Sequence, residues 1–122
     1  MFSHIHSCGI IVKDQDAALA WYQSLGWDVR SNAEMGPGKR FLTVAPKGSQ
    51  CELALGTRAM YGDDATNDVA ITLIVEDVDA TVKALREKGA TVTFGPEDMP
   101  WGARGASFLD PDGNEFFIST RA

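Results

Sequence analysis

Residues 11–29 read IVKDQDAALAWYQSLGWDV, and residues 74–92 read IVEDVDATVKALREKGATV. Laid over each other without a gap at an offset of 63, they agree at Ile11/Ile74, Val12/Val75, Asp14/Asp77, Asp16/Asp79, Ala17/Ala80, Gly26/Gly89 and Val29/Val92. A solenoid needs at least three repeats to bury a continuous core. Two copies whose flanks fill the chain therefore point to one domain made of two similar halves. Each copy begins at the end of an apolar, β-branched strand. Asp14 or Asp16 can then accept from the free amides of a helix start, and Gly26 sits where a left-handed helix end belongs.

Working outward, residues 5–12 read as a buried strand, Trp27 to Arg30 as a second, and residues 31–39 (SNAEMGPGK) as a loop. Phe41 to Val44 and Cys51 to Leu55 form a hairpin around Pro46-Lys47-Gly48-Ser49. Residues 56–68 form the connection, and the order repeats: strand Val69 to Val75, helix Asp79 to about Lys88, strand Ala90 to Phe94, and loop GPEDMPWGARG. The last two strands, Ala106 to Leu109 and Glu115 to Ser119, flank Asp110-Pro111-Asp112-Gly113-Asn114. The fold class is α+β, with two β-α-β-β-β modules at about 4–56 and 69–122 joined by a linker at about 57–68. Ser7 corresponds to Ala70 at the offset of 63, while superposing the late hairpins requires an offset of 65, which places Glu52 over Phe117.

Composition bounds the function. The 122 residues suffice for one core, and 44% hydrophobic with 23% charged residues is ordinary for a globular protein. A formal charge of −6 opposes phosphate backbones, which argues against nucleic acid as a partner. No apolar run approaches the roughly 20 residues of a membrane helix, and MFSHIHSCG lacks the pattern of a secretory signal. Cys8 and Cys51 show no metal-binding spacing and read as reduced thiols of a cytoplasmic protein. No serine or cysteine has a histidine placed to activate it, and no glycine-rich loop opens a helix.

The motifs IIVKDQDAALAWYQSLGW, CELALG, LIVEDVDATVKALREKGA and FLDPDGNEFFI, in this order, resemble the vicinal oxygen chelate superfamily, which includes glyoxalase I, bleomycin resistance proteins and extradiol dioxygenases. The resemblance covers essentially the whole chain. It implies that each module curls its sheet into half of a cup around a cavity, with helices outside, and that the protein forms a homodimer. Enzymes of the family hold a divalent metal with His or Glu from the first and last strands of each module. Carried over residue by residue, those positions are Ser7, Glu52, Ala70 and Phe117, of which Glu52 alone is a ligand type. A catalytic metal needs about three protein ligands around an open position, so the expectation is no metal cofactor. The alternative is a lyase, isomerase or dioxygenase with one divalent ion in an atypical site. It would need a bulge in the first strand to bring His6 beside Glu52, and a further ligand from a partner chain.

With period-two alternation, the faces carrying Ser7, Glu52, Ala70 and Phe117 also carry Gly9, Ile11, Ala54, Thr72, Ile74, Glu115 and Ser119. Such a lining suits a flat or aromatic organic ligand, with Glu52 oriented to a basic group. Trp101 is expected to stack on the ligand, Arg104 to pair with an acidic group, and Phe108 to form core or cavity wall. The resulting expectation is a protein that sequesters a small aromatic or cationic molecule, an antibiotic or a metabolite, and leaves it unchanged.

Overall fold

The computed structural model describes residues 1–121. The elements run β1 (Ser7–Ile11), α1 (Gln15–Ser24), β2 (Asp28–Glu34), β3 (Arg40–Ala45), β4 (Glu52–Gly56), α2 (Arg58–Tyr61), β5 (Ile71–Ile74), α3 (Val78–Glu87), β6 (Thr91–Asp98), β7 (Arg104–Leu109) and β8 (Glu115–Ser119). Two four-stranded mixed sheets result, ordered β1-β4-β3-β2 and β5-β8-β7-β6. The outer pairs β1/β4 and β5/β8 are parallel and the remaining pairs antiparallel. This is the α+β pattern of two β-α-β-β-β modules. The chain divides into two compact units, Met1–Asn67 and a second from Asp68 onward.

The repeated aspartates divide their labour. Asp14 caps α1 by accepting from the Ala17 amide at 3.0 Å, and Asp77 caps α3 by accepting from the Ala80 amide at 2.9 Å. The second aspartate of each copy does something else. Asp16 accepts from the Arg40 guanidinium at 2.6 Å, and Asp79 takes two hydrogen bonds from Arg104, at 2.6 and 3.0 Å. Each module thus ties the first turn of its helix to the start of its third strand. Gly26 and Gly89, at φ of +84° and +82°, end the helices in the left-handed region, where a side chain would be strained.

Helix and sheet bury opposite parts of each strand. In the first unit Ile10, Leu42, Val44, Leu53 and Leu55 alternate onto one face and are buried with Ala18 and Tyr22 of α1. In the second, Ala106, Phe108, Phe116 and Ile118 share a face and are buried along with Val78, Val82 and Leu85 of α3. The Phe108 and Phe116 rings stack with centroids 5.3 Å apart. The Asp110 carboxylate folds the last hairpin by accepting from the Asp112 and Asn114 amides at 3.0 and 2.8 Å.

Three stretches differ from the sequence expectation. β2 and β6 run on into the expected loops, because each continues pairing with its neighbour past a register shift. Pro96 is tolerated inside β6 because that strand is at the sheet edge. The expected linker also contains the short helix α2. It is tied back to the first unit: Asn67 accepts from the Ile11 amide at 2.8 Å and donates to the Ile11 carbonyl at 3.2 Å.

Two outcomes follow from the helix ends. Asp77→Ala removes a side-chain cap, so the unfolding free energy from urea titration should fall by about 1 kcal/mol. Asp79 has its pKa lowered, first by the hydrogen bond from Arg104. Its contribution to stability is therefore complete above the unfolded-state value of about 3.9 and is lost as pH falls through the lower native value. Thermal melts across the acid range should show Asp79→Asn losing less stability than the wild type below about pH 4.

Candidate ligand-binding faces

Because the helix takes one face of each sheet, the residues that alternate to the other face are the candidates for binding. In the first unit, β1 and β4 pair in unbroken register from Ser7↔Glu52 through Gly9↔Ala54 to Ile11↔Gly56. Ser7 and Glu52 stand side by side and half-buried. Thr43 of β3 pairs with Ala54 and so shares this face. Its hydroxyl donates to the Glu52 carboxylate at 2.7 Å. Arg30 of β2 holds a guanidinium nitrogen 4.0 Å from the other Glu52 oxygen and donates to the Pro46 carbonyl at 3.2 Å. Glu52 is thus fixed in direction by a buried threonine and has its charge partly balanced by an arginine. Neither partner follows from the Glu52 motif CELALG itself, since both lie on other strands.

Tyr61 covers the next part of the same face. Its ring lies over Gly9 and Gly56, and its hydroxyl donates to the Ala54 carbonyl at 3.3 Å. A Cβ on Gly56 would lie 2.5 Å from the ring, so the two glycines form the seat of the tyrosine. Burial raises the Tyr61 pKa above its ordinary value. The residue nonetheless remains 44% exposed. Sequence reasoning placed Tyr61 in a linker. The available signal was the glycine on each of two paired strands, which leaves room for a large neighbour.

In the second unit, Thr72 pairs with Phe117, Ile74 with Ser119, and Ser107 with Phe117. The Phe117 ring lies over Gly105, where any side chain would collide with it. Thr72, Ile74, Phe117, Ser119 and Thr120 line an open depression of about 530 Å³, bordered by Trp101. Trp101 and Ile74 are 58% and 50% exposed, so the depression presents unpaired apolar surface. Two expected ligand residues, Phe117 and Trp101, are brought together here.

Other expectations are corrected. Arg104 points to the helix side of its sheet, where Asp79 and Asp98 hold its guanidinium, the latter at 3.1 Å; both hydrogen bonds push its pKa up. It is a structural tie and does not reach the Phe117 face. Phe108, 3% exposed, belongs to the core behind Phe116 because its parity along β7 is opposite to that of Ser107. Ala70 is exposed and lies just ahead of β5. His6 is exposed and precedes β1, its carbonyl accepting from the Glu52 amide at 2.9 Å. With β1 and β4 in unbroken register, the bulge needed to turn His6 toward Glu52 is absent from this pairing.

The four positions at which the resemblance implies metal ligands carry a hydroxyl, a carboxylate, a methyl and a phenyl ring. This donor set does not fit a divalent ion, because a phenyl ring has no lone pair to donate and one carboxylate cannot displace enough water. Among the described residues no group of three or more His, Cys, Asp or Glu side chains is arranged to hold a metal ion.

The profile of the Glyoxalase/Bleomycin resistance protein/Dioxygenase superfamily matches residues 4–118, and the chain belongs to that superfamily. The chain is 41% identical to a superfamily member from Sphaerobacter thermophilus DSM 20745, with a TM-score of 0.91 and 98% of each chain covered. It is 32% identical to TnmS3, an antibiotic binding protein from Streptomyces sp. CB03234, with a TM-score of 0.85 and coverage of 99% of this chain and 98% of that one. Among curated proteins it is 30% identical over 119 residues to YetH of Bacillus subtilis (strain 168), covering 97% of this chain and 98% of YetH.

The seat of Tyr61 is open to a direct check. Gly56→Ala overpacks it and should cost about 1–3 kcal/mol in chemical denaturation. Adding Tyr61→Ala should return most of that loss, since the clash then has no partner.

Proposed function

We propose that this protein binds a small aromatic or cationic organic molecule, an antibiotic or a metabolite, and sequesters it without chemical change. The reading is supported by the exposed aromatic surface of the second unit's open face and the oriented polar groups of the first unit's, and by Ser7, Ala70 and Phe117 standing where the resemblance implies metal ligands. Trp101 and Phe117 offer ring surface for stacking. Glu52, held by Thr43, offers a carboxylate for a charge-assisted hydrogen bond to a basic group. Arg30 beside it favours a ligand that carries an acceptor near its donor. Ser7 completes the polar row and Tyr61 gives it an aromatic boundary. The likeness to TnmS3 supports the binding reading over a catalytic one. The proposed setting is a cytoplasmic homodimer with neither nucleic acid nor a membrane as partner; among the described residues no helix is long and apolar enough to cross a membrane.

Isothermal titration against a panel of cationic and neutral aromatic antibiotics tests the proposal, with the compounds recovered and weighed by mass spectrometry. At least one compound should bind with a Kd in the micromolar range or tighter and be recovered intact. Trp101→Ala should weaken binding of an aromatic compound several-fold, as expected for a lost stacking contact of about 0.5–1.5 kcal/mol. Glu52→Gln should weaken a basic ligand by about tenfold or more. A chemically altered compound would replace the sequestration reading with a catalytic one, and a panel without any binder would remove its support.

A further inference from the structure

The two cysteines, which the binding reading leaves unused, lie against each other. Cys8 is on β1 and Cys51 directly precedes β4, and the Cys8 and Cys51 sulfurs are 3.9 Å apart. The register explains the approach. Cys8 pairs with Leu53, so Cys51, two residues before Leu53, points to the same face of two adjacent parallel strands. Both side chains are half-buried, and both thiols are free. The separation is sulfur–sulfur contact, larger than the roughly 2.05 Å of a disulfide bond. Closing it requires rotation of the side chains and a small shift at Cys51, which lies between the Pro46–Ser49 turn and the first residue of β4.

We infer that Cys8 and Cys51 form an oxidisable dithiol, a modification site that a low-molecular-weight disulfide converts to an intramolecular disulfide linking β1 to β4. The Cys8 thiolate attacks one sulfur of the oxidant, forming a mixed disulfide and releasing one thiolate of the reagent. Cys51 then gives up its proton to solvent and attacks the Cys8 sulfur, expelling the second reagent thiol. Two protein thiols lose two electrons and two protons, and the oxidant is reduced to two thiols. Burial, and next the hydrogen bond with Cys8, raise the Cys51 pKa above its ordinary value. That suits Cys51 to the second, resolving step, because a thiol that stays protonated is a poor first nucleophile.

The position gives the bond a structural consequence. Cys8 adjoins Ser7 and Cys51 adjoins Glu52, each pair pointing to opposite faces of the same sheet. Oxidation would therefore pin the backbone that presents Ser7 and Glu52.

The test is incubation of the folded full chain with glutathione disulfide, acid quenching and intact-mass spectrometry. The wild type should become lighter by two hydrogens, with tandem fragmentation of a digest joining the Cys8 and Cys51 peptides. Cys8→Ser and Cys51→Ser should instead either keep one glutathione on the remaining thiol or stay reduced. A wild type that accumulates stable glutathione adducts, or stays reduced under conditions that fully oxidise free dithiothreitol, overturns the inference. Because the decisive readout is on the wild type, it stands whether or not the serine variants fold. It is also independent of whether any aromatic ligand binds.

Discussion

Each module has a single helix of ten residues to cover a four-stranded sheet, and that helix can close only one face. Much of the molecule's organisation follows from this shortage. Side chains alternate across a strand, so every second residue of β1, β3 and β4 enters the core with Tyr22, and the residues between them must find other partners. In the first unit Tyr61 supplies part of the missing cover, seated on Gly9 and Gly56. In the second, Phe117 folds over Gly105 and leaves Thr72, Ile74 and Trp101 open. A protein that keeps such apolar surface exposed keeps a place for something to bind.

The polar groups on the first unit's open face hold one another in place. Glu52 accepts from Thr43 and sits within reach of Arg30, so its direction is set before a ligand arrives. Preorganisation of that kind lowers the cost of ordering on binding. The same alternation that sends Glu52 to one face sends Cys51 to the other. A carboxylate on the open face and a half-buried thiol on the helix face are therefore neighbours in the chain and separated by the thickness of a sheet.

The repeat in the sequence carried two kinds of information, only one of which could be read directly. That one of the repeated aspartates, Asp14 or Asp16, caps the helix was legible because capping is local; the structure gives the role to Asp14 and its repeat Asp77, each accepting from an amide three residues away. Asp16 and Asp79 were not legible as ties to Arg40 and Arg104, which lie 24 and 25 residues on. Arg104 was accordingly expected to meet a ligand. Phe108 could not be placed between core and cavity wall for a related reason: its place on β7 is set by pairing with Phe116, and strand parity cannot be fixed until the register is known.

The sequence by itself determined the fold class and the order of the two modules. These depend on local pattern, chain order and residue chemistry, which survive without coordinates. The tertiary structure alone decided that Arg30 and Thr43 attend Glu52, that Tyr61 covers two glycines, that Trp101 borders the Phe117 depression, and that Cys8 and Cys51 touch. Each of those contacts joins residues on different elements. Their meeting is fixed by strand register and the return of α2 onto its own unit, and neither is written in the spacing of the residues concerned.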